Sequence, residues 1–199
     1  MEVQFHRTDD RRYALRVLRA PLPPVEFQAF GYSDLLPHDL AHFIVESELG
    51  LTRGIFGFWA AGGDSGGAPH LVAGESRRDA SRRRRKAERR DAGKLRRGER
   101  SDDHFSEVAA YICCCEWARR SKDPARSGGV GGSIKSALER LPDEQRRLFT
   151  RELFDRVCAR MDELSARWSC LDVGESMSVD WTVTGRTPPS SSSPTIHRH

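Results

Sequence analysis

The segment Pro37-His38-Asp39-Leu40-Ala41-His42-Phe43-Ile44-Val45-Glu46 gathers two imidazoles and two carboxylates at a spacing that can be read chemically. At about 100° per residue of α-helix, with His38 as zero, His42 falls at about 40°, Glu46 at about 80° and Asp39 at about 100°. Leu40, Ala41, Phe43, Ile44 and Val45 take the rest of the wheel. The helix is therefore amphipathic, with all four groups on its polar side. Histidines at i and i+4 can grip one Zn²⁺ or another divalent metal, as in H-E-x-x-H enzymes, where the intervening glutamate is a general base. Here Asp39 stands in that place, one methylene shorter.

His38, His42 and Glu46 cannot all reach one ion. The rise from i to i+8 is about 12 Å, against ligand bonds of about 2 Å. A site would use one adjacent pair, His38/His42 or His42/Glu46, plus a donor from elsewhere. The available donors are His6, His70, His104 and Glu107. His104 and Glu107 lie three apart on another expected helix, and His104 is the expected third ligand beside His38 and His42. If the site is catalytic, Asp39 or Glu46 would be the base and hydrolysis the generic reaction. The alternative is a solvated or partner-facing helix side, with Glu46 near His42 for a modest i,i+4 pairing.

Three segments that alternate apolar and polar residues read as half-buried strands that would position this helix. They place Val3 with Phe5, then Tyr13, Leu15 and Val17, then Met177, Val179, Trp181 and Val183 on one face each. Thr8-Asp9-Asp10-Arg11 is turn-like, so the first two form a hairpin. The third adds to it only by crossing nearly the whole chain. Pro21 to Gly31 reads as a Pro-rich connector. The histidine helix should begin near Pro37 and end at Gly50. A short helix or buried turn follows in the apolar, aromatic stretch from Gly54 to Ala61. Ser101 would cap a helix through Phe105, Val108, Ala109 and Ile112, and Ser133 a short one. Pro142 would open a long helix, in which Phe154, Val157, Met161, Leu164 and Trp168 recur at core spacing and which should lie across the sheet. The expected fold class is α+β: a small antiparallel sheet, made of the N-terminal hairpin and the C-terminal strand, packed on one face by three to four helices. It would be one domain over 1–187, with a disordered tail at 188–199.

His38-Asp39-Leu40-Ala41-His42-Phe43-Ile44-Val45-Glu46, followed by Leu49-Gly50-Leu51 and Gly54-Ile55-Phe56-Gly57, resembles a small family of uncharacterised bacterial proteins. These carry an H-D-L-x-H-F-x-x-E helix followed by a G-x-F-G turn. The resemblance spans about a sixth of the chain and implies no established activity. It marks this segment as the family's signature.

Residues 75–100 carry 13 basic and 5 acidic side chains, while the remainder is mildly acidic. Within them Arg82, Arg83, Arg84, Arg85, Lys86, Arg89 and Arg90 could neutralise nucleic-acid phosphates. The segment has no aromatic residue for stacking, so such binding would be weak and nonspecific. A noncatalytic accessory protein with this basic arm is the rival to the metal reading. A solvated insertion is the plainer account of the same charges. Arginine outnumbers lysine 29 to 4, which fits a GC-rich, bacterial genome. Gly63-Asp64-Ser65-Gly66-Gly67 matches the G-x-S-x-G of nucleophile elbows. Such a serine needs a strand before it and a helix after it, whereas glycines and Pro69 surround this one.

No run approaches the roughly 20 apolar residues of a membrane span. The N-terminus lacks the blocks of a signal peptide. Five cysteines, three of them consecutive at 113–115, form no spaced framework and read as free thiols. A cytoplasmic protein is expected.

Overall fold

The computed structural model describes residues 1–29, 31–63, 82, 102–121 and 133–183. Among them the strands are β1 (Glu2–Asp9), β2 (Arg12–Arg19), β3 (Leu22–Ala29) and β4 (Ser176–Asp180). The helices are α1 (His38–Leu49), α2 (Ile55–Ala60), α3 (Asp103–Arg120), α4 (Ile134–Glu139), α5 (Asp143–Arg146) and α6 (Arg151–Ser169). The strands form one antiparallel sheet in the order β3-β2-β1-β4, so the α+β class stands.

The alternating residues meet in register. Phe5 pairs with Leu15 on one side and Met177 on the other, and Val3 with Val17 and Val179. These side chains are buried, while Gln4, Arg16 and Ser178, between them along the strands, are not. One apolar face is therefore covered by helices, as the period-two pattern requires.

Two details differ from the sequence reading. The Pro-rich connector is in fact β3, whose Val25 and Phe27 extend the inner rows opposite Val17 and Leu15. Pro23 and Pro24 hide it. A sheet tolerates proline at an edge or a bulge, where no ladder donor is needed. Here β3 is an edge strand, and its register slips between the Arg19–Leu22 and Val17–Val25 pairs, which bracket both prolines. Secondly, Pro142 precedes only the single turn α5. The long helix starts later, where the Thr150 side chain accepts the Leu153 N–H at 3.2 Å. It packs against α1 and α3 and reaches the sheet through Trp168, whose ring meets Tyr13 edge-on.

The histidine helix is the centre of the molecule. It begins after Pro37 and ends at Gly50 in the left-handed conformation (φ 70°). Phe43 packs edge-on against Phe5 below it and Phe56 beside it. Every residue from Leu40 to Glu48 is buried. Trp59, Trp117, Trp168 and Trp181 also belong to the core.

The short turn to α2 depends on two close approaches. A Cβ on Gly54 would lie 2.4 Å from the Glu46 carboxyl carbon, and one on Gly57 2.4 Å from the Thr52 backbone carbonyl. Helix propensity alone favours alanine over glycine by about 1 kcal/mol. Gly57→Ala should nevertheless destabilise the protein, by about 1–3 kcal/mol, because backbone cannot yield as a side chain can. Urea unfolding of the variant gives the sign directly.

Candidate metal centre

Because α1 is buried all round from Leu40 to Glu48, its polar side there must be covered by polar groups, and α3 supplies them. His42 Nδ1 lies 2.9 Å from Ser106 Oγ. Ser106 in turn donates its hydroxyl to Glu46 Oε1 at 2.8 Å. The same carboxylate accepts the Ile55 N–H on Oε1 (3.1 Å) and the Phe56 N–H on Oε2 (3.0 Å). Glu46 thus holds the first turn of α2 and, through Ser106, the back of the His42 ring. The glutamate and the first glycine of the G-x-F-G turn form one unit, the carboxylate lying on the hydrogen face of Gly54.

The other edge of His42 looks outward. Its Nε2 is 3.3 Å from His38 Nε2 and 3.4 Å from Glu107 Oε2, and His38 Nε2 is 3.9 Å from that oxygen. The His42 side chain is 7% exposed, whereas His38 and Glu107 are 55% and 65% exposed. The three donors therefore stand at the surface between α1 and α3, rooted by one buried ring. Among the described residues, His38, His42 and Glu107 offer donor atoms that all lie within 4.8 Å of one another, close enough to share an ion.

Of the expected site residues, the structure brings His38 and His42 together. It places Glu107 beside them where His104 was expected. Helix phase explains the exchange. Ser106 is buried against α1, and at about 100° per residue His104 stands about 200° away from it. His104 is accordingly exposed, while Glu107 borders the histidines. His6 lies on β1, and His70 falls outside the described residues.

The two expected bases are placed differently. Asp39 Oδ2 accepts the Tyr13 hydroxyl at 2.5 Å, a bond that ties the first turn of α1 to the sheet. Burial and the neighbouring Asp39 raise the Tyr13 pKa, so the phenol stays protonated and donates. Glu46 is fully buried behind His42, on the Nδ1 side of the ring and not on a solvated face. Burial pushes its pKa up to about 7 against the opposing pull of three hydrogen bonds, and Asp103 adds to the rise. Burial likewise lowers the His42 pKa, outweighing the nearby Glu107 carboxylate. The shift favours the neutral ring, the form that binds metals.

Sequence reasoning missed Ser106. The available signal was a polar and small stripe, Asp103, Ser106, Glu107 and Ala110, at core spacing along α3. Such a stripe is what a buried polar helix face needs opposite it.

Of the basic arm, Arg82 is described, as an exposed residue. Arg83, Arg84, Arg85, Lys86, Arg89 and Arg90 lie outside the described residues, as do Ser65 and the tail from 188. Cys113, Cys115 and Cys158 are buried and all five cysteines are free. Burial raises the Cys114 and Cys158 thiols to about 12 and about 11, which leaves little reactive thiolate at neutral pH. No described helix is long and apolar enough to cross a membrane.

The fold and site define an α+β protein with a two-histidine, one-glutamate group between its central helix and α3. Compared with models of known protein families, with curated proteins and with solved structures, the chain matches none.

Proposed function

We propose that the protein binds a divalent transition-metal ion through His38 Nε2, His42 Nε2 and Glu107 Oε2, and uses it to activate water for hydrolysis. The donor triangle carries this reading. Ligands bound at about 2.05 Å in tetrahedral array stand roughly 3.3 Å apart. The edges here are 3.3, 3.4 and 3.9 Å. The longest joins the two exposed side chains, which are free to close on an ion. Two imidazoles and one carboxylate are a known catalytic Zn²⁺ donor set, and the fourth position faces solvent.

The back of the site supports the same reading. Metal-binding histidines almost always give their other ring N–H to an acceptor that fixes the tautomer. Ser106, with its hydroxyl hydrogen on Glu46, is that acceptor for His42. An open position on Zn²⁺ lowers the pKa of its water toward 7 and polarises a substrate carbonyl or phosphoryl oxygen.

Untagged protein should hold one equivalent of Zn²⁺ per chain by elemental analysis, and His42→Ala should hold none. The comparison within one chain matters because His197 and His199 are donors of their own near the C-terminus. Equal zinc in both proteins, or none in the parent after zinc addition at pH 8, would overturn the assignment.

A further inference from the structure

We infer that Glu46 decides, through Ser106, which nitrogen of His42 is available, so that protonation of this buried carboxyl closes the site to metal. The inference rests on the metal reading above and adds its regulation.

Counting hydrogens gives the two states. With Glu46 ionised, its Oε1 accepts the Ser106 hydroxyl at 2.8 Å. Ser106 has one hydroxyl hydrogen and has given it away, so at 2.9 Å it can only accept from His42 Nδ1–H. The neutral ring then carries its lone pair on Nε2, toward His38 and Glu107. With Glu46 protonated, the carboxyl O–H donates to Ser106 Oγ. The Ser106 hydroxyl swings to His42 Nδ1, and the single ring proton moves to Nε2. There it faces Glu107 Oε2 at 3.4 Å, a carboxylate that can accept it. One proton enters at Glu46 and His42 remains neutral, but the nitrogen a metal needs is now occupied.

The burial pattern makes this path the natural one. Glu46 is fully buried and Ser106 is 2% exposed, so neither can exchange its partner for water. The Ile55 and Phe56 N–H groups bind the carboxyl in either state and hold it in place. The other charged or titratable groups facing the network are Asp103 and Glu107 on α3 and His38 and Asp39 on α1. Of these, the Asp103 carboxylate repels charge on Glu46 and favours its protonated form. The rise of the Glu46 pKa to about 7 sets the exchange within the neutral range. Glu46 and Ser106 are thus positioning residues: they act on the metal only through the ring.

The test begins with metal-free protein. Long-range ¹H–¹⁵N correlation of the His42 imidazole should show the Nδ1–H tautomer at pH 8.5. It should show a neutral Nε2–H tautomer as Glu46 takes up its proton, before any imidazolium forms. Zn²⁺ affinity should fall about tenfold per pH unit below that midpoint, beyond the fall caused by histidine protonation. Glu46→Gln, which cannot ionise, should keep one tautomer at every pH and lose the extra slope. Ser106→Ala should lose it as well, which keeps the test valid if the first variant does not fold. A single His42 tautomer in the parent across the range, or the full parental slope in either variant, would overturn the inference while leaving the metal site intact. A tautomer exchange with no zinc bound at pH 8.5 would overturn the metal reading, and the gate with it.

Discussion

Glu107→Ala and His38→Ala should each weaken Zn²⁺ binding by more than about 100-fold, exceeding the loss typical of an outer-shell partner, while the fold stays as stable as the parent's. The two halves of this result come from the same observation. Both side chains are more than half exposed, so removing either opens no cavity and strands no buried partner. Surface changes of this kind usually fall within about 0.5 kcal/mol. For a chain of this size that is a melting shift of about 2 °C or less. Yet each residue supplies one of only three protein donors in the proposed site. His104→Ala is the internal control, since that imidazole is exposed and apart from the cluster. Isothermal titration with zinc beside thermal melts reads both quantities. Retained affinity in the Glu107 variant, or its loss in the His104 variant, would show that the ion sits elsewhere.

Glu46→Ala should do the opposite and damage the fold first. The variant strands the Ile55 and Phe56 N–H groups and the Ser106 hydroxyl, all of which now end on one buried carboxylate. Each orphaned donor costs about 1–3 kcal/mol, and the vacated volume adds to that. Relief from burying a carboxylate offsets part of it, leaving a net loss of about 3–6 kcal/mol. That is a large fraction of the 5–15 kcal/mol typical of a folded domain.

The loss should depend on pH with a definite sign. The Glu46 pKa is raised in the folded state, so the native chain holds this proton more tightly than the unfolded one. Its contribution is fully present below the unfolded value of 4.5 and is lost as pH rises through about 7. The difference is on the order of 3 kcal/mol. Glu46→Ala should therefore cost more at pH 5 than at pH 8. His42 works in reverse: its lowered pKa gives stability above the ordinary imidazole value of 6.5 that fades as pH falls below it. Denaturant unfolding of parent and variant at the two pH values isolates the Glu46 part. An equal loss at both would mean that the carboxyl keeps an ordinary pKa.

Much of this architecture is legible in the residues because the forces involved act over short stretches. Val3/Phe5, Leu15/Val17 and Met177/Val179 announce a one-faced sheet through period two alone. Gly50 ends α1 because the left-handed turn there favours glycine. β3 is not legible, since Pro23 and Pro24 count against a strand unless one knows that it lies at an edge. Within the site, His38 and His42 follow from helical spacing. The choice of Glu107 over His104 does not, because it depends on how α3 is rotated against α1. That rotation is fixed by Phe105, Ala109 and Ile112 entering the core. The burial of Glu46 is not legible for the same reason. A helix wheel shows which side is polar but not what lies against it.

The pairing of β1 with β4 sets a timetable for the newborn polypeptide. Phe5 finds Leu15 ten positions on but waits more than 170 for Met177, and the Trp181 N–H closes the same edge on the Met1 carbonyl. As the ribosome delivers the chain, the N-terminal strands are born early with one flank bare, a surface that invites pairing with strangers. Closure over such a span is entropically slow. The exposed interval thus falls on β1 to β3, far in sequence from the α3 segment that brings Ser106 and Glu107 to the histidines.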